Sequence, residues 1–270
     1  MQILESKRYR MATKFALEKL FVKMSDGKEF IFWFDGNGKI TVGNGSFGQP
    51  AANAFSLVQV QDCPFATQTC KSACYVHLLE KAEQEVHAAY QHNSRDIRKV
   101  LEKSLYRKTT ELAFADWIRG NCPAGFRWHV SGDIFSLRYS RFIRAVCDSA
   151  PEVFFWIYTR SFRYLEPLVG AENLVVNLSA DRDNWQQALQ TCHRFGFRLC
   201  YLTVEGEVPP DLPLGSVIFP SHELRGRDLS NPRQAPWWQL LTPRERRMVC
   251  PPDFFGQSES LRCGRCKKCF

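Results

Sequence analysis

No apolar run in this sequence approaches the roughly 18 residues a membrane-spanning helix needs, so no membrane partner is expected. The opening segment, Met-Gln-Ile-Leu-Glu-Ser-Lys-Arg, lacks the apolar stretch of a secretory leader, which makes a cytoplasmic location the expectation. Internal repeats and low-complexity stretches are also absent. Ser72 and Ser221-His222 lack the strand–turn–helix context of a nucleophile elbow, so no classical hydrolase arrangement stands out. Gly43-Asn44-Gly45-Ser46-Phe47-Gly48 looks like a glycine-rich phosphate loop, but no helical pattern follows it and it is set aside.

What is present begins with the cysteines, 11 in 270 residues. A cytosolic chain keeps its thiols reduced, which favours metal over disulfides. Cys250-Pro251 is followed by Cys263, Cys266 and Cys269 in the closing run Leu-Arg-Cys-Gly-Arg-Cys-Lys-Lys-Cys-Phe. Cys250-x12-Cys263-x2-Cys266-x2-Cys269 supplies four sulfurs by itself. The middle cysteine of the CxxCxxC run serves two overlapping pairs, which suits a [4Fe–4S] cluster; a four-cysteine zinc site is the competitor. A second group, Cys63-x6-Cys70-x3-Cys74, lies far upstream with Lys71 between two of its members. Three thiolates would leave one iron of a cube open; His77 is either its fourth ligand or an ordinary helix-surface histidine. One or two clusters are compatible with this spacing. Cys122, Cys147, Cys192 and Cys200 stand singly in apolar contexts and read as buried small hydrophobes.

The composition, 44% hydrophobic and 13% aromatic, can bury a sizeable core. Residues 30–43 read as a hairpin turning at Asp35-Gly36-Asn37-Gly38. From residue 55, apolar β-type runs at 55–60, 126–130, 153–158, 174–178, 198–204 and 216–219 are separated by helical patterns at 75–118, 137–149, 161–169 and 183–195. Near-continuous apolar strands alternating with helices imply a parallel α/β sheet. The expected architecture is a complete or partial TIM-like β/α barrel, with a doubly wound open sheet as the alternative. The expected division is an N-terminal hairpin extension (1–54), a barrel core (55–245) and a C-terminal iron–sulfur tail (246–270). In either architecture ligands bind at the carboxyl ends of the strands. Those ends carry Ser131, Gly132, Asp133, Ser179, Asp181, Glu205 and His222, the expected pocket residues.

The net charge of +8, from 36 basic and 28 acidic side chains, is compatible with a nucleic-acid partner. Arg138, Arg141 and Arg144 share one helix face, and Arg160 and Arg163 flank the next turn. Arg225, Arg227, Arg244, Arg246, Arg247, Lys267 and Lys268 crowd the last quarter near Trp237 and Trp238. Arginine forks bind phosphates and aromatics stack bases, so these residues are the candidate nucleic-acid surface, for DNA before RNA. A solvated helix face, or counter-charge for an anionic thiolate cage, accounts for the same residues.

Cys70-Lys-Ser-Ala-Cys74-Tyr75, the His87-Ala-Ala-Tyr-Gln-His-Asn93 stretch, Ser131-Gly-Asp-Ile-Phe-Ser-Leu-Arg-Tyr139, Tyr158-Thr-Arg160, Leu178-Ser-Ala-Asp181 and the terminal cysteine run recur together in this order. In these motifs, from about residue 60 to the end, the chain resembles the phage gene product 88-like family of mobile-element proteins. That resemblance implies an iron–sulfur protein with a barrel-like fold in the host cytoplasm, and little about activity. A more remote likeness is to radical S-adenosylmethionine enzymes, which place a CxxxC-containing cluster loop after the first strand of a six-stranded partial barrel. They carry a Gly-Gly-Glu-type motif where Gly132-Asp133 stands here. The third cysteine of their signature falls at His77, and Cys63 takes its place from upstream. This likeness implies a cluster on Cys63, Cys70 and Cys74, adenosylmethionine as a cofactor, and Asp133 as the candidate catalytic residue, contacting the methionine amine. The expectation is therefore a nucleic-acid-binding iron–sulfur barrel protein with a structural or redox-sensing cluster, or a radical-type enzyme.

Overall fold

Alternating apolar residues build the first part of the sheet. Strand β1 (Arg8–Tyr9) pairs with β2 (Phe15–Lys23), and β2 pairs antiparallel with β3 (Glu29–Asn37). Leu20, Val22, Phe30, Phe32 and Phe34 face the core, while Lys23 and Glu29 face solvent. The computed structural model of the chain describes residues 8–9, 15–37, 52–77, 83–221, 223–224 and 231–251. The hairpin turns at Ser25-Asp26-Gly27-Lys28, where Gly27 has φ +83° and the Asp26 carboxylate accepts from the Lys28 amide. The expected turn at Asp35-Gly36 is wrong. Asp35 pairs with Leu17 and Gly36 with Ala16 inside the ladder, and Asp35 is buried, its Oδ2 accepting from Ser56 Oγ (3.1 Å) and Tyr90 OH (2.9 Å). A carboxylate with partners supplied by distant segments has no need of a turn. Residues 38–43 lie outside the described part.

From β3 the chain continues into β4 (Ala54–Phe55), antiparallel to β3, and then into a parallel series. The series is β4, β5 (Phe126–Trp128), β6 (Phe155–Thr159), β7 (Leu174–Ala180), β8 (Arg198–Thr203) and β9 (Val217–Pro220). All nine strands lie in one sheet in sequence order. A doubly wound sheet reverses its strand order at a switch point; this sheet has no reversal. Among the described strands no pairing joins β9 to β1 or β4, so a closed barrel is not formed here.

Helices α2 (Gln84–Glu102), α3 (Ser104–Asn121), α4 (Leu137–Ser149) and α5 (Trp185–Phe195) follow the short α1 (Gln68–Ser72). The strand pleat shows where they pack. Phe155 and Ile157 of β6 join Ile97, Phe114, Phe142 and Ala188 of the four helices in the main core. The intervening Trp156 and Tyr158 cluster instead with Ala54, Val130 and Val175 on the other face. Successive strands crossing over one face put all four helices on that face. Phe114 is the centre of an aromatic cluster, with the rings of Phe32, Phe34, Phe55 and Phe142 at 5.0–5.3 Å. These contacts join the hairpin to the parallel sheet in one core.

The helix expected over 161–169 is instead two 3-10 turns, Phe162–Tyr164 and Glu166–Leu168. Pro167 has no amide to donate within an α-helix there. The expected 75–118 stretch holds α2 and most of α3, which runs on to Asn121, and α4 has the expected bounds, with Ser136 Oγ capping it by accepting from the Tyr139 amide. The chain ends its described part with α6 (Pro236–Leu240), α7 (Pro243–Met248) and a parallel bridge from Val249 to Ile218 of β9.

Burial raises the Asp35 carboxyl to about 6, opposed by its two hydroxyl donors and by Arg127. The folded chain therefore holds this proton more tightly than the unfolded one. The stability it contributes is full below about pH 4 and is lost as pH rises through about 6, a swing of about 3 kcal/mol. Asp35→Asn should remove that fall from the urea-unfolding midpoint between pH 4 and pH 6. An identical slope in the variant would contradict the assignment.

Candidate functional site

At the carboxyl ends of β5, β6 and β7 the chain forms a half-open cleft of about 200 Å³. The segment after β4 supplies Gln59, Val60, Cys63, Cys70, Lys71, Cys74 and Tyr75, and the strand ends supply His129, Ser131, Gly132, Asp133, Tyr158, Thr159, Arg160 and Ser179. The strands stop where the backbone turns into this cavity. His129, just after β5, has φ +63°, and Val60 has the same value. They are the two non-glycine residues in the left-handed region among the described residues, and both line the cavity. For β-branched Val60 this conformation is a strained one, of the kind that collects at functional sites. His129 Nε2 lies 2.8 Å from Tyr139 OH, its carbonyl accepts from Arg127 Nε, and burial drops its ring to about 3, so it is neutral.

Gly132 has φ +80°, and a Cβ there would lie 2.6 Å from Leu57 Cβ. Only glycine lets the segment after β5 pass this close to the segment after β4, where the Leu57 amide donates to Ser131 O. Asp133 then braces two strand ends. Its Oδ1 accepts from the Ile134 amide (2.7 Å) and Thr159 Oγ1 (2.6 Å), and its Oδ2 from the Arg160 amide (2.8 Å). Burial raises its carboxyl, against these three donors.

Arg160 crosses to β7. Its Nη2 is 2.9 Å from Asp181 Oδ2, a pair 8% and 0% exposed. Asp181 Oδ2 also accepts from Thr67 Oγ1 at 2.5 Å. Burial pushes the Cys63 thiol up to about 12, and it raises Cys70 too, against the pull of the Arg160 guanidinium. Cys74 Sγ is 3.4 Å from Gln59 Oε1, and Gln59 Nε2 is 3.2 Å from Nδ1 of exposed His77. No disulfide joins two of the described cysteines, and among the described residues no three His, Cys, Asp or Glu side chains are grouped to hold one metal ion.

Other expected site residues are scattered. Cys250 is buried in a cluster with Cys200 and Val217, against which Tyr158 packs, so it is on the helix-free face of the sheet and not in the cavity lining. Cys263, Cys266, Cys269, Lys267, Lys268, Arg225, Arg227 and His222 lie outside the described residues. Glu205 is exposed and pairs with Arg182 at 2.5 Å, away from the cavity. Arg144 is held by Asp148 and by the carbonyls of Pro167 and Val169, and Arg160 is buried; neither is an open phosphate contact. Arg138, Arg141 and Arg163 are exposed, the last 5.9 Å from the Phe65 ring. Trp237 and Trp238 are buried, with Trp237 Nε1 donating to Leu224 O, so they offer no face to a base. Sequence reading missed Arg127, His129 and Tyr158 as cavity residues. Their signal was faint: polar groups in Phe-Arg-Trp-His-Val and at the end of Phe-Trp-Ile-Tyr, inside otherwise apolar strands.

The sequence match to known proteins covers the whole site. A family model described as Gene product 88 matches residues 31–270. The chain belongs to the gene product 88 family. Among its relatives, the Gene 88 protein of Mycobacterium phage L5 is 34% identical over 155 residues, covering 55% of this chain and 62% of that protein. The Gene 88 protein of Mycobacterium phage D29 is 31% identical over 158 residues, covering 55% and 61%. The chain therefore spans about three fifths of the length of these relatives. No solved structure matches it.

Gly132→Ala should lower stability by about 1–3 kcal/mol, from strain at positive φ and from the Leu57 contact. The urea midpoint checks it, and an unchanged midpoint would mean that the two segments do not pass this closely.

Proposed function

We propose that this gene product 88 protein holds a [4Fe–4S] cluster on Cys63, Cys70 and Cys74, with one iron left open toward a ligand bound in the cavity. On this reading the six parallel strands are a partial β/α barrel, and the chain is an enzyme of the radical S-adenosylmethionine type. The observation that carries it is the placement of three thiols, all on the segment after β4, against one cavity with the distant ends of β5, β6 and β7. The donor set fits: soft thiols suit an iron–sulfur cluster, and, against the burial that raises the Cys70 thiol, the Arg160 guanidinium pulls it down. A single zinc ion draws its sulfurs to about 2.3 Å; a cube spreads its irons to separate corners.

A reduced cluster, when bound, supplies single electrons. The rest of the task falls to the chain. Asp133 keeps the β5 and β6 ends in register, and Ser131 and Ser179 offer hydroxyls at the cavity wall. Arg127, which donates to His129 O, lies over the Tyr158 ring at 4.9 Å and so places a cation in the cavity wall. Buried Val76 and Val130 add apolar surface to a lining whose side chains are otherwise largely polar. A second cluster on Cys250, Cys263, Cys266 and Cys269 belongs to the same proposal.

A second reading, a nucleic-acid-binding protein with a structural cluster, is favoured by the net charge of +8 and by exposed Arg138 and Arg141 on α4. It requires salt-dependent DNA retardation at micromolar protein, weakened by Arg138→Ala/Arg141→Ala.

Anaerobic purification with iron, sulfide and zinc analysis tests the main reading. About four irons per cluster are expected, so about eight for two clusters, with about four lost in Cys70→Ala/Cys74→Ala and about four in Cys263→Ala/Cys266→Ala. Zinc without sulfide would overturn it.

A further inference from the structure

The cavity described above has one wall that no strand supplies: the stretch from Val60 to His77, which carries all three thiols. Its regular parts are a helical turn at residues 75–77 and α1, which is five residues long. So short a helix has no stability of its own. Its position must come from outside contacts; the neighbouring segment is held by the Phe65–Tyr164 ring contact and by Tyr75 OH donating to Val130 O, and α1 itself is tied by hydrogen bonds to the end of β7.

Strand β7 ends at Ala180, and Asp181 folds back on itself. Its Oδ1 accepts from the Asp183 amide at 3.0 Å, and its own amide donates to Asn184 Oδ1 at 2.8 Å. This turn fixes both carboxylates. Asp181 Oδ2, already paired with Arg160, accepts from Thr67 Oγ1 at 2.5 Å. Thr67 is the N-cap of α1, and the same Oγ1 accepts from the Cys70 amide at 2.9 Å. Two residues on, Asp183 Oδ2 accepts from the Thr69 amide at 2.8 Å. Each of these two ties spans 114 residues of chain. The path from the buried ion pair to the cysteine is thus Arg160, Asp181, Thr67, Cys70, with no gap.

We infer that Asp181, Asp183 and Thr67 are positioning residues for the metal centre: the end of β7 clamps the α1 turn and so sets where the Cys70 sulfur stands against Cys63 and Cys74. The inference rests on the proposed function, since it gives the clamp a metal to serve. None of the three residues touches the reacting atoms.

Thr67→Val keeps the shape and removes the hydroxyl; Thr67→Ser keeps the hydroxyl. Asp181→Asn is a poor probe because it strands Arg160 in the interior. Asp183→Ala is a cleaner second variant, since this carboxylate is 36% exposed, and it keeps the test usable if Thr67→Val does not fold. Two readouts apply to the full chain. In apo protein, alkylation of Cys70 should be roughly fivefold faster in Thr67→Val, the factor that corresponds to about 1 kcal/mol for a lost N-cap. Cys192, at the far end of α5, should be unchanged, and Thr67→Ser should match wild type. In iron-loaded protein, loss of iron to a chelator should be faster by a similar factor in Thr67→Val and Asp183→Ala, and the electron paramagnetic resonance g-values should shift. If wild type holds iron and the variants match it in both readouts, the clamp is overturned while the proposed function stands. If wild type takes up no iron, the proposed function fails and the inference fails with it.

Discussion

The arrangement of this protein depends on one topological constraint: six parallel strands in sequence order, each returning over the same face of the sheet. Because no connection crosses to the other face, α2 to α5 share one core with Phe155 and Ile157, and the opposite face is lined by Trp156, Tyr158, Val175 and Cys200. The same constraint sends every β-to-α segment out at one end. Residues 59–77, 129–133, 159–161 and 179–183 therefore meet, and the chemistry of the chain is concentrated where they do.

The meeting place is held by buried carboxylates. Asp133 ties β5 to β6, and Asp181 ties β6 to β7 through Arg160 and reaches back to the cysteine segment through Thr67. A buried ion pair is weak evidence of stability, since desolvation offsets much of the attraction. Here it has a geometric role: each of the two carboxylates accepts donors from more than one segment, which fixes their separation. Strain gathers at the same end, in Val60 and His129, as expected where a backbone is bent to shape a cavity.

The parallel strands were legible because strands buried on both faces read as continuous apolar runs, and 155–159, 174–180 and 198–203 carry that pattern strongly. The hairpin was misplaced because Asp-Gly occurs twice, at Asp26-Gly27 and Asp35-Gly36, and local chemistry does not distinguish a turn from a buried carboxylate whose partners, Ser56 and Tyr90, are far along the chain. Charge misled in the same way. Arg160 read as a phosphate contact, but its partner Asp181 lies 21 residues away and only the fold brings the two together. Spacing singled out the three upstream cysteines because a thiol group needs a local loop. The strand-borne residues Arg127, His129 and Tyr158 gave no comparable signal, since single polar groups in apolar strands have many uses.

The central claim is that a cluster on Cys63, Cys70 and Cys74 has an open iron facing a ligand in this cavity. Electron paramagnetic resonance of the anaerobically reduced chain, with and without S-adenosylmethionine, tests it directly. The account predicts a [4Fe–4S] signal whose g-values change when the ligand is added, in wild type and in Cys263→Ala/Cys266→Ala alike, and no such change in Cys70→Ala/Cys74→Ala. A signal indifferent to the ligand, or one that survives loss of Cys70 and Cys74 unaltered, would contradict it.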